Sequence, residues 1–170
     1  ITTPTITVTT TDTVSAASIV YSGETSKHGG NVTTKYVTKK VVLDAGFDSG
    51  DLNVYLSAYR PVNTNIYVYY KVLSRSDTQK FEDGDWQLMT MTYNSGKYSV
   101  NRNDLVEYEY SPGVGGVADN SIQYTSKKTG VSYNSFYQFA IKVVMRASDS
   151  TFAPFAKDMR AIALPPGTGI

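Results

Sequence analysis

The side chains here that could do chemistry are few, and carboxylates dominate them. Two turns concentrate oxygen ligands: "DAGFDSGD" carries Asp44, Asp48 and Asp51, and "FEDGDW" carries Glu82, Asp83 and Asp85. Oxygen-rich loops of this kind suit Ca²⁺, which takes about six to eight hard ligands. Neither follows the D-x-D-x-D-G spacing of the helix-loop-helix calcium loop, and any tight turn selects Asp and Gly for its own backbone. Two carboxylates facing each other across a cleft would hydrolyse glycosides, but no spacing singles out such a pair. His28, the one histidine, sits between Lys27 and Gly29 in a loop, with nothing nearby to orient it as a base. Zinc would need several His or Cys ligands, and the chain has no cysteine. "SPGVGGVADN" is glycine-rich yet lacks the Lys-Ser/Thr of a phosphate-binding loop. The residues therefore point to a non-enzymatic protein without cofactor or metal.

What remains is recognition by aromatic side chains. "NTNIYVYYKVLSRSD" places Tyr67, Tyr69 and Tyr70 among aliphatic residues. Period-two alternation puts Ile66, Val68, Tyr70 and Val72 on one face and Tyr67, Tyr69 and Lys71 on the other. "LNVYLSAY" sets Leu52, Val54, Leu56 and Ala58 against Tyr55, Ser57 and Tyr59 in the same way. Tyr70 thus belongs to the core, whereas Tyr55, Tyr59, Tyr67, Tyr69 and Lys71 form a candidate interface, joined by Lys142 and Arg146 if the strands are neighbours. Tyrosine offers a large rigid surface with a polar tip, which suits protein contacts, sugar stacking or plain cross-strand packing.

These residues need a sheet to hold them. "YQFAIKVVMRA" alternates Phe139, Ile141, Val143 and Met145 with Ala140, Lys142 and Val144. "VTTKYVTKKVVL", "DWQLMTMTY" and "DMRAIAL" are further strand candidates, and a short helix or turn is expected near residues 76–81. Gly, Pro, Asn and Asp punctuate the gaps, and no long stripe of period 3.6 appears. The expected fold is all-β: an antiparallel β-sandwich, jelly-roll-like, over residues 23–170, preceded by an extended Thr/Ser-rich arm over residues 1–22.

The 170 residues suffice for one domain with a real core. A net charge of +1 argues against nucleic acid as a partner. No apolar run reaches the roughly 20 residues that a membrane span requires. The first residue is Ile1, and the opening has neither a basic start nor an apolar signal core, so the chain is expected to be a piece of a longer protein.

The order of motifs carries a resemblance. "KYVTKKVVLDAGFDSGDLNVYLSAYRPVNTNIYVYYKVLSRSDTQKFEDGDWQLMT", followed by "SFYQFAIKVVMRASDSTFAPFAKDMRAIALP", resembles a segment of virion structural proteins of contractile-tailed phages of marine bacteria. It covers about residues 32 to 165. It implies a domain, C-terminal in a long tail, baseplate or fibre-associated protein, assembled in the host cytoplasm and working in the virion. The partners implied are other virion proteins and, for a fibre or spike, further copies in a trimer. The alternative is a carbohydrate-binding domain for host-surface glycans.

Overall fold

The computed structural model describes residues 6–7, 24–28, 35–113, 120–147 and 153–164. The strands are β1 (Ile6–Thr7), β2 (Lys35–Val37), β3 (Val41–Val42), β4 (Asp51–Tyr59), β5 (Thr64–Leu73), β6 (Gln87–Leu88), β7 (Thr90–Tyr93), β8 (Val106–Ser111), β9 (Tyr124–Thr125), β10 (Ser132–Tyr133), β11 (Gln138–Ala147) and β12 (Phe155–Leu164), with one 3-10 turn at Phe81–Asp83. One sheet runs β1-β12-β4-β8-β7 and a second runs β2-β11-β5-β6, with β3 continuing the β2 edge along β11. β9 and β10 form a separate hairpin. The pairings are antiparallel, so the expected all-β sandwich is what the chain forms.

The alternating faces explain why the sheets stack. Leu52, Val54, Leu56 and Ala58 of β4 and Val106, Tyr108 and Tyr110 of β8 meet Ile66, Val68, Tyr70 and Val72 of β5 and Phe139, Ile141, Val143 and Met145 of β11 in one core. Each aliphatic side chain so buried contributes about 1.5–3 kcal/mol. Tyr110 ties the layers together, donating its hydroxyl to the Ile66 carbonyl at 2.8 Å. β8 is absent from the strand candidates above, although Val106, Tyr108 and Tyr110 alternate with Glu107 and Glu109.

Successive strands switch sheets. β4 lies in the first sheet and β5 in the second, so Arg60–Asn63 is a crossover and not a hairpin. Asn63 takes the left-handed conformation (φ 67°) that Asn tolerates better than most residues. Arg60 fixes the crossover: its guanidinium donates to the Ser95 and Lys97 carbonyls and to Asn65 Oδ1, and lies 4.3 Å from the Tyr98 ring centre. "DWQLMTMTY" switches likewise. Gln87–Leu88 pair with β5, Thr90–Tyr93 pair with β8, and Met89 between them points into the core. "VTTKYVTKKVVL" is interrupted between β2 and β3, where Thr38 exchanges hydrogen bonds with Ile141. The turn expected near residues 76–81 ends in the 3-10 turn at Phe81–Asp83. Of the expected arm over residues 1–22, only Ile6 and Thr7 are described, paired with Ala156 and Phe155; the rest, and residues 114–119 of the glycine-rich loop, lie outside the described residues.

Candidate functional site

The five residues marked as one interface do not share a surface. Tyr55 and Tyr59 project from the outer face of the first sheet, and Tyr67, Tyr69 and Lys71 from the outer face of the second, on opposite sides of the sandwich. Alternation gives the parity of each strand correctly, but the crossover at Arg60–Asn63 puts the two strands in different layers. Tyr55 is partly exposed beside the Arg160 guanidinium, 4.9 Å from its ring centre. Tyr59 is buried against Phe155 at 5.3 Å. β5 and β11 do pair, with Lys142 opposite Tyr69 and Ala140 opposite Lys71, so these two lysines and Tyr69 form one cluster.

That cluster is covered by the chain itself. A strap over Glu24–His28 and the segment carrying Phe81 and Trp86 close over Tyr69, Leu73, Ala140 and Val144 as a second small core. Two lysines lie inside it. Lys142 donates to Glu24 Oε1 at 3.0 Å and to the Glu24 carbonyl, and both side chains are almost wholly buried. Its ammonium also sits 4.6 Å from the Tyr69 ring centre and 5.2 Å from that of Trp86. Lys71 reaches the Lys27 carbonyl at 3.4 Å and lies 4.9 Å from the Trp86 ring centre. Burial lowers the pKa of both lysines. Glu24 opposes that shift at Lys142, and Asp85, Glu82 and Asp83 oppose it at Lys71.

Four of the six candidate carboxylates are engaged in ion pairs that tie segments together. Glu82 pairs with Lys40 at 3.6 Å, Asp83 with Lys27 at 3.3 Å and Asp85 with Lys127 at 3.2 Å. Asp48 accepts three bonds from Arg75, at 2.8, 3.0 and 3.2 Å. Asp51 is buried at the start of β4, Asp44 is exposed, and His28 is exposed in the strap. Among the described residues no three His, Asp or Glu side chains converge as metal ligands would.

Sequence reasoning missed the residue that organises the neighbouring surface. Asp77 is buried; its Oδ1 accepts from the Gln79 amide at 2.9 Å and from Ser126 Oγ at 3.0 Å, and its Oδ2 accepts from the Tyr124 hydroxyl at 2.9 Å. The Tyr124 oxygen in turn accepts from the Ser74 amide at 2.7 Å, and Gln79 Oε1 accepts from the Lys127 amide at 2.8 Å. This network seats the β9–β10 hairpin on the 74–79 turn. No local spacing signals it, because Asp77 and its partners Tyr124 and Ser126 are far apart in sequence. Asp77→Ala leaves a buried tyrosine hydroxyl and a serine hydroxyl without their acceptor, and is expected to cost about 3 kcal/mol in urea unfolding. A wild-type midpoint would show that the network does not hold the hairpin.

Several clefts open among the described residues, and three stand out by their linings. A polar one of about 540 Å³ lies among Thr25, Asp85, Trp86, Gln87, Gln123 and Thr125. A second, of about 390 Å³, is lined by Lys27, Thr78, Lys80, Asp83, Lys127 and Lys128. The third is an apolar groove of about 530 Å³ between the β2–β3 edge and β12, formed by Val37, Val41, Phe139, Ile141, Met159 and Ala161. Exposed Val42 adjoins Val41 on the same edge, and exposed Phe47 lies in the turn that follows. Compared with known proteins, the chain matches no family model, no curated protein and no solved structure.

Proposed function

We propose that this chain is a structural and interaction domain of a tailed-phage virion protein, acting by packing against neighbouring tail, baseplate or fibre proteins and not by catalysis. The observation that carries the reading is the interleaved strand order, β1-β12-β4-β8 facing β2-β11-β5-β6. We read that order as a jelly roll, two Greek keys folded face to face, an architecture used by viral capsid proteins and lectins. The resemblance of the motif order to virion proteins of contractile-tailed phages is the second support for the reading. The apolar groove between the β2–β3 edge and β12, with Val37, Val42 and Phe47 exposed along or near it, offers a protein-contact surface of the right chemistry.

The test is localisation in particles. Antibody raised against the chain is expected to decorate the tail region of gradient-purified phage in immunogold micrographs, and its peptides are expected to co-purify with tail proteins. Peptides found in the infected lysate but absent from purified particles would overturn the reading.

A further inference from the structure

We propose that the polar cleft and the lysine-lined cleft form one binding site for an acidic oligosaccharide. The two clefts flank a single ion pair: Asp85 lines the first, Lys127 lines the second, and the two are 3.2 Å apart. At about 540 and 390 Å³ each has the size of a small-ligand cleft, and a ligand longer than one sugar ring would cross the ion pair.

The first cleft has the chemistry of a sugar ring. Sugar hydroxyls both donate and accept, and side-chain amides and hydroxyls complement them. Gln123 is exposed and makes no hydrogen bond among the described residues. Gln87 uses its carbonyl to accept from the Tyr70 hydroxyl at 3.2 Å, which leaves its NH₂ group to donate to a ligand. Trp86 and Tyr124 make the floor, and neither is loose. The Trp86 amide donates to the Thr25 carbonyl and its ring stacks on two lysines, while Asp77 and the Ser74 amide hold the Tyr124 hydroxyl. A floor fixed before binding does not have to be ordered by the ligand.

The second cleft supplies the charge preference. Lys27 and Lys127 are neutralised by Asp83 and Asp85. Lys80 and Lys128 are exposed and have no carboxylate partner among the described residues; the Lys128 ammonium reaches only the Thr78 carbonyl, at 3.5 Å. Two uncompensated lysines beside a neutral sugar-like cleft select a glycan bearing carboxylates, with rings over Gln87 and Gln123 and charge at Lys80 and Lys128. The site is separate from the apolar groove and does not depend on the packing role proposed above.

Titration calorimetry of the full chain with alginate oligomers as the acidic probe, and cello-oligosaccharides as the neutral one, tests this. Alginate is expected to bind, more weakly as salt is raised, with no comparable binding of the neutral oligomers. Gln123→Ala and Lys128→Ala are each expected to weaken alginate binding about tenfold, one lost polar contact, with unchanged melting temperatures. No alginate binding, equal binding of the neutral oligomers, or wild-type affinity in both variants would overturn the proposal. Any of these leaves the particle-localisation result untouched, so the two readings fail separately.

Discussion

Lys142→Met is expected to lower the stability of the domain by about 3–5 kcal/mol, the effect of stranding one member of a buried ion pair. Methionine keeps most of the stem that packs against Tyr69 and Trp86, so lost volume contributes little. What disappears is the ammonium that bonds both the carboxylate and the carbonyl of Glu24, a residue 1% exposed. Lys35 stands 4.0 Å from the same carboxylate and offers weaker compensation at longer range. For a domain of this size the melting temperature should fall on the order of 10 °C. The double variant Glu24→Leu with Lys142→Met removes both charges and is expected to recover most of the loss, since well-packed apolar residues commonly replace buried ion pairs without penalty. Urea unfolding of the two variants decides the point. A single variant as stable as the parent would mean that the strap is held by its other contacts.

Alkali is expected to unfold the protein abruptly above about pH 10. Burial raises the pKa of Tyr70 from 10.0 to about 12 and also raises Tyr108, Tyr110 and Tyr124. Unfolded tyrosines release their protons near pH 10 while these four keep theirs, so above pH 10 the unfolded state binds fewer protons. Stability contributed by each is complete below pH 10 and is lost as pH climbs through its folded value. The slope is at most about 1.4 kcal/mol per pH unit for each tyrosine. Lys71 and Lys142 act in the opposite sense. Their folded pKa values lie below 10.5, so stability rises with pH from those values until the unfolded lysines have also lost their protons. The expected profile therefore holds or rises toward pH 10 and then drops steeply. Urea midpoints between pH 7 and 12, with tyrosinate absorbance followed in parallel, would show it. A midpoint unchanged through pH 11 would contradict the burial of these hydroxyls.

The inward faces of β4, β5 and β11 were legible because period-two alternation is a local property. Tyr70 separates from Tyr67 and Tyr69 on that ground alone, and the structure keeps Tyr70 in the main core. Sheet membership was not legible. "YRPVN" has the residues of a tight turn, and only the partners of β4 and β5, namely β12 and β11, decide that it bridges two layers. The buried lysines show the same limit. Lys142 was visible as the polar member of an apolar strand, but its carboxylate comes from Glu24, in a Ser- and Gly-containing stretch that reads as loop. Asp77 was hidden because its acceptor role depends on a hairpin nearly fifty residues downstream. β8 differs, since its alternation of Val106, Tyr108 and Tyr110 with Glu107 and Glu109 is local and legible by the same rule.

The crossover at Arg60–Asn63 also governs how the chain reaches this state. Because β4 and β5 do not pair with each other, their long ladders are completed by β12 and β11, with Asp51 meeting Leu164 and Thr64 meeting Ala147. Closing such distant pairs is entropically slow, and domains dominated by them fold in milliseconds to seconds instead of microseconds. During synthesis the apolar faces of β4 and β5 emerge well before the strands that cover their edges. Until then each presents an unpaired, aggregation-prone edge to the cell. The newborn chain is therefore committed to a waiting period that ends only when its last strand is free.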